Sequence, residues 1–512
     1  MDTIVATQHQ QHDKRWVILG FLGLAQLMVV LDATIVNIAL PSAKSSLGFS
    51  AEDAQWLITA YSLAFGSLLF LGGRLSDLIG RKTTLQIGLV GFAFASALGG
   101  AAQNFTMLVS ARAIQGAFGA VLAPAALAMV STTFIDVKER AKAFSIYGSI
   151  AGAGAAIGLL LGGILTQYLS WRWTLYVNLI FATVTFVGAQ SLLRRERGQA
   201  TGGLDVPSTL LISTGLFSIV YGLSHAANSA QRTADAHGTV TLVSAFGNPT
   251  TIACLIVGVT LVCAFVWLQT VRERPMLPLS IVTDRARGGS FLGIFLASAS
   301  MFAVFLFLTF YLQHVKGYSP VGAGVAFLPL VAALSAAAAI SQTMLLPRLG
   351  PRPLLPTGLA IGALGMYVFT HLTVHGSYAS EVLPGLLLNG VAMGVIFATA
   401  MNTSTARVRP EYAGSASATV NVTQQIGGSI GTALLSTVSI AAALGYGASL
   451  RGSPSSILAQ QEIALQAQVH GYTTAFWWAA AIFAFGAVVT LIVLPSGRPE
   501  PATADHVLAV AA

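Results

Sequence analysis

The chain has 512 residues, of which 55% are hydrophobic and only 9% are charged, and its formal net charge is +8. A soluble domain carries about 25% charged residues, so this composition excludes a water-soluble globular protein and predicts a chain embedded in a bilayer. The basic residues form short clusters between apolar runs, which argues against a nucleic-acid partner, and the two cysteines, Cys254 and Cys263, argue against a disulfide framework and a cysteine-based metal site.

Apolar runs of about 20 residues, the length needed to cross a hydrocarbon core of about 30 Å, recur along the whole chain. There are fourteen of them, and they predict an all-α integral membrane protein with 14 transmembrane helices. The first run is too long for the apolar core of a signal peptide and contains Asp32, so we expect it to remain as span 1. Numbered in chain order, the predicted spans lie near residues 16–40, 54–73, 83–103, 107–132, 141–166, 173–193, 206–226, 250–270, 289–312, 321–346, 354–374, 383–405, 415–445 and 473–494.

The basic residues between the spans are distributed asymmetrically. Twenty of the 26 Lys and Arg residues fall on one side of the predicted topology, five fall on the other side, and Arg112 lies within a span. Basic residues of short loops are retained in the cytoplasm. The pattern predicts a multi-pass protein of the inner or plasma membrane, with both termini in the cytoplasm. The two longest outer loops, 227–249 and 446–472, carry no motif that indicates a function.

Two ionisable side chains lie deep within predicted spans, where a charge costs a few kcal/mol or more and marks a functional candidate. Asp32 lies about 13 Å from Pro41 at the outer end of span 1, and Arg112 lies about 10 Å from Phe105 at the outer end of span 4. At similar depths the two opposite charges can share a cavity. Burial and a neighbouring guanidinium act in opposite directions on a carboxyl group, as a proton carrier requires. The alternative, a static ion pair that only fixes helix packing, remains open.

A short polar loop joins spans 2 and 3. It contains Gly73, Asp77, Gly80, Arg81 and Lys82 in the order Gly-x-x-x-Asp-x-x-Gly-Arg-Lys. Taken alone, this loop is consistent with an ordinary cytoplasmic turn with basic anchors. The order resembles the signature loop between helices 2 and 3 of the major facilitator superfamily, and this resemblance implies a cytoplasmic gate between two halves of a transporter.

Further segments resemble motifs of the fourteen-helix drug:proton antiporters of that superfamily. The segment 31–41 resembles their helix-1 signature, and the segment 112–116 resembles their helix-4 motif, whose arginine (Arg112 here) the resemblance associates with proton coupling. The segments 171–178 and 311–324 also match. A seam of small residues in span 5, which favours close helix packing, resembles the antiporter signature and contains Gly148, Gly152, Gly158 and Gly162.

A weak internal repeat divides the predicted spans into two sets. Spans 5 and 13 both follow an acidic residue and carry glycines, and the loop 347–353 is a degenerate copy of the loop 73–82. Parallel halves of this kind are a transporter arrangement. We therefore predict a six-helix half at 1–193, a linker at 194–275 that inserts spans 7 and 8, and a second six-helix half with a short tail at 276–512.

A substrate cavity needs apolar walls with a few polar groups. Asn178 in span 6 is a further polar candidate, and the second half carries no acidic residue within a predicted span. Members of the resembled family that export dications tend to carry an extra membrane acid in the later helices, so the resemblance implies a neutral, monocationic or amphipathic substrate. The main cavity candidates are Asn37, Gln55, Trp56, Tyr61, Gln115, Gln313, Asn421, Gln424 and Gln425.

These observations predict proton-coupled efflux of a hydrophobic or amphipathic drug or antibiotic by alternating access, with Asp32 carrying the proton and Arg112 tuning its acidity. The partners are a small organic substrate, protons and the lipid bilayer. The sequence shows no nucleophile–base or metal constellation, so we expect no enzyme activity and no cofactor beyond the proton gradient. Two alternatives remain: a proton-coupled uptake carrier for a metabolite, and a non-transporting membrane receptor or scaffold.

Overall fold

The computed structural model describes residues 2–134, 137–193, 205–237, 247–272, 275, 277, 279–405, 408, 413–450 and 457–495. Within these residues every regular element is a helix. We label the fourteen main helices of this part in chain order. They are α1 Asp2–Leu47, α2 Ala51–Ile79, α3 Arg81–Gly100, α4 Phe105–Thr133, α5 Val137–Tyr168, α6 Trp173–Leu192, α7 Val206–His237, α8 Pro249–Val271, α9 Arg285–Phe310, α10 Leu328–Ile340, α11 Pro351–Phe369, α12 Leu383–Thr405, α13 Ala413–Ser449 and α14 Ile457–Val493.

Short helical pieces extend some of these helices. A π-helical turn, Tyr311–Val315, continues α9, and Pro320–Ala326 leads into α10. Another π-helical turn, Ser341–Leu345, and the piece Leu346–Leu349 follow α10, and Leu279–Thr283 and Tyr378–Val382 precede α9 and α12.

Side chains that accept the unpaired N–H groups of a first helical turn explain where several helices begin. Ser50 and Asp53 form a capping box at the start of α2. Asn104 accepts from the Met107 N–H at 2.9 Å and starts α4, and Asn248 caps α8 in the same way. These polar residues interrupt the apolar runs at the ends of spans, so hydropathy and capping agree on the boundaries.

Two glycines with positive φ make corresponding turns. Gly80, with φ of 90°, separates α2 from α3, and Gly350, with φ of 75°, separates the piece Leu346–Leu349 from α11. Residues with a Cβ rarely adopt this backbone conformation. The loop 347–353, predicted as a degenerate copy of the loop 73–82, therefore makes a turn of the same kind.

The packing of the first six helices is repeated by the last six. In the first set, α1 packs on α5 and α6, α4 packs on α2 and α3, and α3 packs on α6. In the second set, α9 packs on α13 and α14, α12 packs on α10 and α11, and α11 packs on α14. The same pairs of helices are thus in contact in both sets, as expected of two copies of one six-helix arrangement.

The helices α7 and α8 lie outside this repeat and pack mainly on each other. The Ser218 hydroxyl donates to the Cys254 carbonyl at 2.9 Å and links the pair. Helix α7 also packs on α2 and on α13, which touch each other. The Ser213 hydroxyl donates to the Ser67 carbonyl at 2.7 Å and joins α7 to α2.

Eleven helical segments in the described residues are long and apolar enough to cross a membrane. They belong to α1, α3, α4, α6, α7, α8, α9, α10, α12, α13 and α14. Helices α2 and α5 contain shorter apolar stretches, Trp56–Leu69 and Ile157–Tyr168. The predicted multi-helix membrane architecture is therefore confirmed.

The predicted outer loop 446–472 was wrong over most of its length. Helix α13 extends to Ser449, and α14 begins at Ile457 and has 37 residues. A helix of that length spans about 55 Å, well beyond the hydrocarbon core. The stretch 457–468 is rich in Gln, Ala and Leu, which favour helix even where hydropathy is low. Glu462, expected in a loop, lies in this first part of α14.

The two sets of helices meet at two levels. We call the face that carries the turn at Gly48 the Gly48 end. Near it, the Gln313 side-chain amide donates to the Ile38 carbonyl at 3.2 Å, and the Val321 N–H donates to Gln167 Oε1 at 3.3 Å. Further along the bundle, α2 contacts α13. The two sets of helices are therefore in direct contact near the Gly48 end.

Candidate functional site

Asp32 and Arg112 form a buried ion pair inside the first set of helices. Asp32 Oδ2 on α1 lies 2.6 Å from Arg112 Nη1 on α4. The exposed fractions of the two residues are 0% and 2%. The structure therefore brings together the two ionisable residues that the depth argument predicted to share a site.

Two amide side chains complete the surroundings of the carboxylate. Gln115 Nε2 on α4 and Asn178 Nδ2 on α6 both donate to Asp32 Oδ1, each at 2.7 Å. Asp32 thus accepts three hydrogen bonds from three side chains on two neighbouring helices. Hydrogen bonds of this number and length stabilise an ionised carboxylate that has been removed from water.

The guanidinium of Arg112 is fixed on several sides. Its Nη1 also donates to Gln115 Oε1 at 2.6 Å, and its Nε donates to the Leu57 carbonyl at 3.2 Å. Its Cζ lies 4.4 Å from the ring centroid of Tyr61 on α2. The planar arginine fork contacts a carboxylate, an amide, a backbone carbonyl and an aromatic face at once, which a lysine cannot reproduce.

Glycines bring the helices close enough for these contacts. A Cβ at Gly158 of α5 would lie 3.2 Å from the Leu31 carbonyl oxygen, and one at Gly162 would lie 3.0 Å from the Ile35 carbonyl oxygen. The backbone of α5 therefore lies directly against α1 beside Asp32. Gly148 and Gly152, the other members of the predicted seam, lie outside the residues whose side chains or packing are described.

The turn after α2 is positioned within the first set of helices. Lys82 Nζ donates to the carbonyls of Gln190 and Leu193, at 3.0 Å and 2.7 Å, at the C-terminal end of α6. A cation there satisfies the last carbonyls and interacts favourably with the helix dipole. Arg81 lies at the start of α3 next to Gly80. Gly73 lies near Pro124 of α4, and the side chain of Asp77 lies outside the described part.

The predicted cavity residues do not all lie in one place. Tyr61 and Gln115 belong to the site around Asp32. Trp56 packs on Tyr221 of α7, with ring centroids 5.8 Å apart. Asn37 donates to the Ala33 carbonyl of its own helix at 3.0 Å.

The remaining cavity candidates lie on or near the contact between the two sets of helices. Gln313 contacts the Ile38 carbonyl. Asn421, Gln424 and Gln425 are half-buried on α13. A Cβ at Gly66 of α2 would lie 3.2 Å from the Gln425 Cβ, so this part of α13 faces α2 across the junction. The side chain of Gln55 is not among those described.

A small cavity borders the ion pair towards the Gly48 end. It is a narrow, mostly apolar gap between α1, α2, α4 and the start of α6, and Arg112 lines it. Trp171 also lines it, and its buried Nε1 has no hydrogen-bond partner in the described part of the chain. Among the described residues, no group of three or more His, Cys, Asp or Glu side chains is arranged to hold a metal ion.

Sequence reasoning missed one member of the site. The Ser96 hydroxyl on α3 accepts from Gln115 Nε2 at 2.8 Å. Ser96 is one small residue among many in an apolar run, and nothing in its neighbours distinguishes it. Asn178 was expected only as a polar cavity residue, because spacing along α6 does not show which helix it faces.

Comparisons with known proteins agree on one family. The family model of the Major Facilitator Superfamily matches residues 22–432. A solved structure of a bacterial homologue of the human lysosomal transporter Spinster, in an inward-facing and unoccupied conformation, matches with a TM-score of 0.59. It covers 94% of this chain and 99% of that one at 17% identity, so it supports the fold alone.

Curated relatives align over nearly the whole chain. The puromycin resistance protein pur8 of Streptomyces alboniger is 43% identical over 96% of this chain and 93% of its own length. The cephamycin export protein CmcT of Amycolatopsis lactamdurans is 33% identical over 95% and 94%. The multidrug efflux pump LfrA of Mycolicibacterium smegmatis is 32% identical over 83% and 81%.

Proposed function

Because the chain belongs to the Major Facilitator Superfamily, we propose that it exports a hydrophobic or amphipathic antibiotic across the cell membrane in exchange for protons. The superfamily predicted from the sequence motifs is thereby confirmed, and the chain is a membrane transporter rather than an enzyme. Relatives named for the export of antibiotics, or for resistance to them, support the substrate class, and the buried pair of Asp32 and Arg112 supports the coupling to protons.

Asp32 is the proposed proton carrier. Its buried carboxylate accepts hydrogen bonds from one guanidinium and two amides, and protonation would remove its charge and weaken its attraction to Arg112. The proton would bind on one side of the membrane and leave on the other. Arg112 would keep the ionised form accessible, so that the carboxyl group can release its proton in each cycle.

Alternating access would come from rocking of the two six-helix halves. The repeated packing of α1–α6 and α9–α14 supports these halves, and we assign them to residues 1–193 and 276–512, with α7 and α8 as an insert at 194–275. We also propose that all fourteen main helices cross the membrane, with both termini in the cytoplasm and the Gly48 end outside. The turn containing Asp77 and Arg81 would then belong to the cytoplasmic gate.

The substrate would bind between the halves. Asn421, Gln424 and Gln425 lie half-buried on α13, and Gln425 lies against Gly66 of α2 at the junction. Such a surface suits an organic molecule with few polar groups. The relative of highest identity among those described here makes puromycin the first compound to test.

The test uses inside-out membrane vesicles with an inside-acid pH gradient, to which puromycin is added. We expect the drug to dissipate the gradient with the wild-type protein and not with Asp32→Asn. Glu462→Gln, which changes a half-exposed carboxylate near the start of α14, is the control and should keep activity. Undiminished proton movement in Asp32→Asn would refute the role of Asp32. Higher drug content in expressing cells than in controls would indicate an uptake carrier instead.

A further inference from the structure

The carboxylate of Asp32 meets two amide side chains at the same oxygen atom. Gln115 and Asn178 both present their NH₂ groups to Asp32 Oδ1. This orientation suits an ionised carboxylate, which only accepts hydrogen bonds. Once Oδ1 carries a proton it becomes a donor, and it then needs an acceptor where two NH₂ groups now stand.

Gln115 is held in its orientation at both ends. Its Oε1 accepts from Arg112 Nη1 at 2.6 Å, and its Nε2 also donates to the Ser96 hydroxyl at 2.8 Å. Rotating this amide by about 180° would turn its NH₂ group towards the guanidinium. Arg112 has no acceptor atom, so the rotated amide would place two donors against each other.

Asn178 is held at one end only. Its Nδ2 donates to Asp32, whereas its Oδ1 is buried and has no hydrogen-bond partner among the described residues. The whole residue is inaccessible to solvent, with an exposed fraction of 0%. Rotation of this amide would break no bond other than the one to Asp32, and it would give the unpaired oxygen a partner.

We propose that Asn178 is a positioning residue whose amide turns over with the proton on Asp32. It donates through Nδ2 to the ionised carboxylate. When a proton binds to Asp32 Oδ1, the amide rotates, and the new O–H group donates to Asn178 Oδ1. Release of the proton reverses both changes. The inference rests on the proposed role of Asp32 as the proton carrier.

The other described groups around Asp32 do not offer an amide that can rotate in this way. Among the described residues, the charged and titratable side chains that face the carboxylate are Arg112 from α4 and Tyr61 from α2, whose ring lies against the guanidinium. Helix α5 approaches through Gly158, which has no side chain. From the second set of helices, the described hydrogen bond to α1 comes from the neutral Gln313.

Infrared difference spectroscopy on the purified protein in lipid nanodiscs tests the rotation directly. Lowering the pH should produce the carbonyl band of a protonated carboxyl group, identified by its absence in Asp32→Asn. The side-chain carbonyl band of Asn178, identified by its absence in Asn178→Leu, should shift over the same pH range. An Asn178 band that stays fixed while the Asp32 band appears would overturn the proposal.

The same spectra separate the two hypotheses. If no carboxyl band assignable to Asp32 appears at any pH at which the protein stays folded, the proton-carrier role fails, and the role of Asn178 fails with it. If the Asp32 band appears and the Asn178 band is constant, only the role of Asn178 is wrong.

Transport measurements supply a second test. Asn178→Leu removes both the donor and the acceptor, and we expect about a tenfold loss of drug-driven proton flux and a shift of about one unit in the pH of half-maximal flux. Asn178→Ser should retain more flux than Asn178→Leu, because a hydroxyl can donate or accept by rotating. This second variant keeps the test valid if the leucine variant fails to fold.

Asn389 provides a matched control in the second half. It is also buried, its Nδ2 donates to the Gly385 carbonyl at 2.9 Å, and its Oδ1 has no partner in the described residues. It has no described contact with Asp32. We expect Asn389→Leu to keep the wild-type pH of half-maximal flux. Equal pH profiles for Asn178→Leu and Asn389→Leu would overturn the proposal.

Discussion

Gly116 and Gly390 make the same contact in the two sets of helices. Gly116 of α4 lies against the carbonyl oxygen of Tyr61 on α2, and Gly390 of α12 lies against the carbonyl oxygen of Leu330 on α10. In each case a Cβ would collide with the backbone of the neighbouring helix. The two sets therefore share the close spacing of this helix pair as well as the order in which the helices pack.

Gly116→Ala should destabilise the protein, because the added methyl group meets backbone atoms that cannot rotate away. Overpacking of this kind costs about 1–3 kcal/mol. Gly445→Ala on α13, where nothing lies within 4 Å of an added Cβ, is the matched control. Thermal unfolding in detergent measures the difference. A Gly116→Ala protein as stable as Gly445→Ala would show that α2 and α4 are not packed as described.

Arg112→Lys should lose at least about tenfold in drug-driven proton flux, which corresponds to ~1.4 kcal/mol. A lysine keeps the positive charge, but it cannot contact Asp32, Gln115 and the Leu57 carbonyl together. Arg287→Lys changes an arginine that pairs with Asp284 at 3.3 Å near the start of α9, and it should transport normally. Full activity of Arg112→Lys would mean that a positive charge at this position is enough for drug-driven proton flux and that the other contacts of the guanidinium are not required.

A disulfide across the Gly48 end should stop transport. The Val321 N–H donates to Gln167 Oε1 of α5. One turn earlier on α5, a Cβ at Gly163 would lie 2.8 Å from the Val321 Cα. Helix α5 therefore lies close to the piece Pro320–Ala326, which leads into α10. We expect oxidation of Gln167→Cys/Val321→Cys, in a background lacking Cys254 and Cys263, to abolish drug-driven proton flux, and reduction to restore it.

The control for this experiment is Tyr168→Cys/Val321→Cys. Tyr168 is 71% exposed and adjacent to Gln167 in the chain, so it points away from the contact. This pair should form no disulfide and should transport in both redox states. Continued transport by a fully cross-linked Gln167→Cys/Val321→Cys protein would contradict opening at this end.

Lys316 should make stability depend on pH in the alkaline range. Burial lowers the pKa of this lysine from its usual 10.5, and the charge of Glu381 opposes the shift. Between the lowered pKa and 10.5, the unfolded chain binds more protons at this residue than the folded chain does. The free energy of unfolding therefore rises with pH in that window, and it is lowest where Lys316 is charged in both states.

Comparison with Lys316→Gln isolates this contribution. As the pH rises from neutral towards 10.5, the wild-type protein should gain stability relative to the variant, as measured by thermal unfolding in detergent. Below the lowered pKa, the difference between the two proteins should be constant. Parallel curves over the whole range would show that the desolvation of Lys316 has no effect on folding.

Hydropathy and charge were enough to predict the helical membrane architecture, and depth along the helices was enough to pair Asp32 with Arg112. The direction in which a side chain points around its helix axis was harder to predict, because it depends on packing between helices that are distant in sequence. Asn178 faces Asp32, Trp56 faces α7, and Lys82 reaches the end of α6. None of these directions follows from spacing along one helix.

Helix α7 is joined to α2 by the hydrogen bond from Ser213 to the Ser67 carbonyl, and it also covers the line where α2 meets α13. The α7–α8 pair therefore screens this side of the junction from the surrounding lipid. In the described part of the chain, no such pair covers the opposite side, where α5 meets the segment that leads into α10. A substrate dissolved in the bilayer would thus find the two sides of the junction unequally accessible.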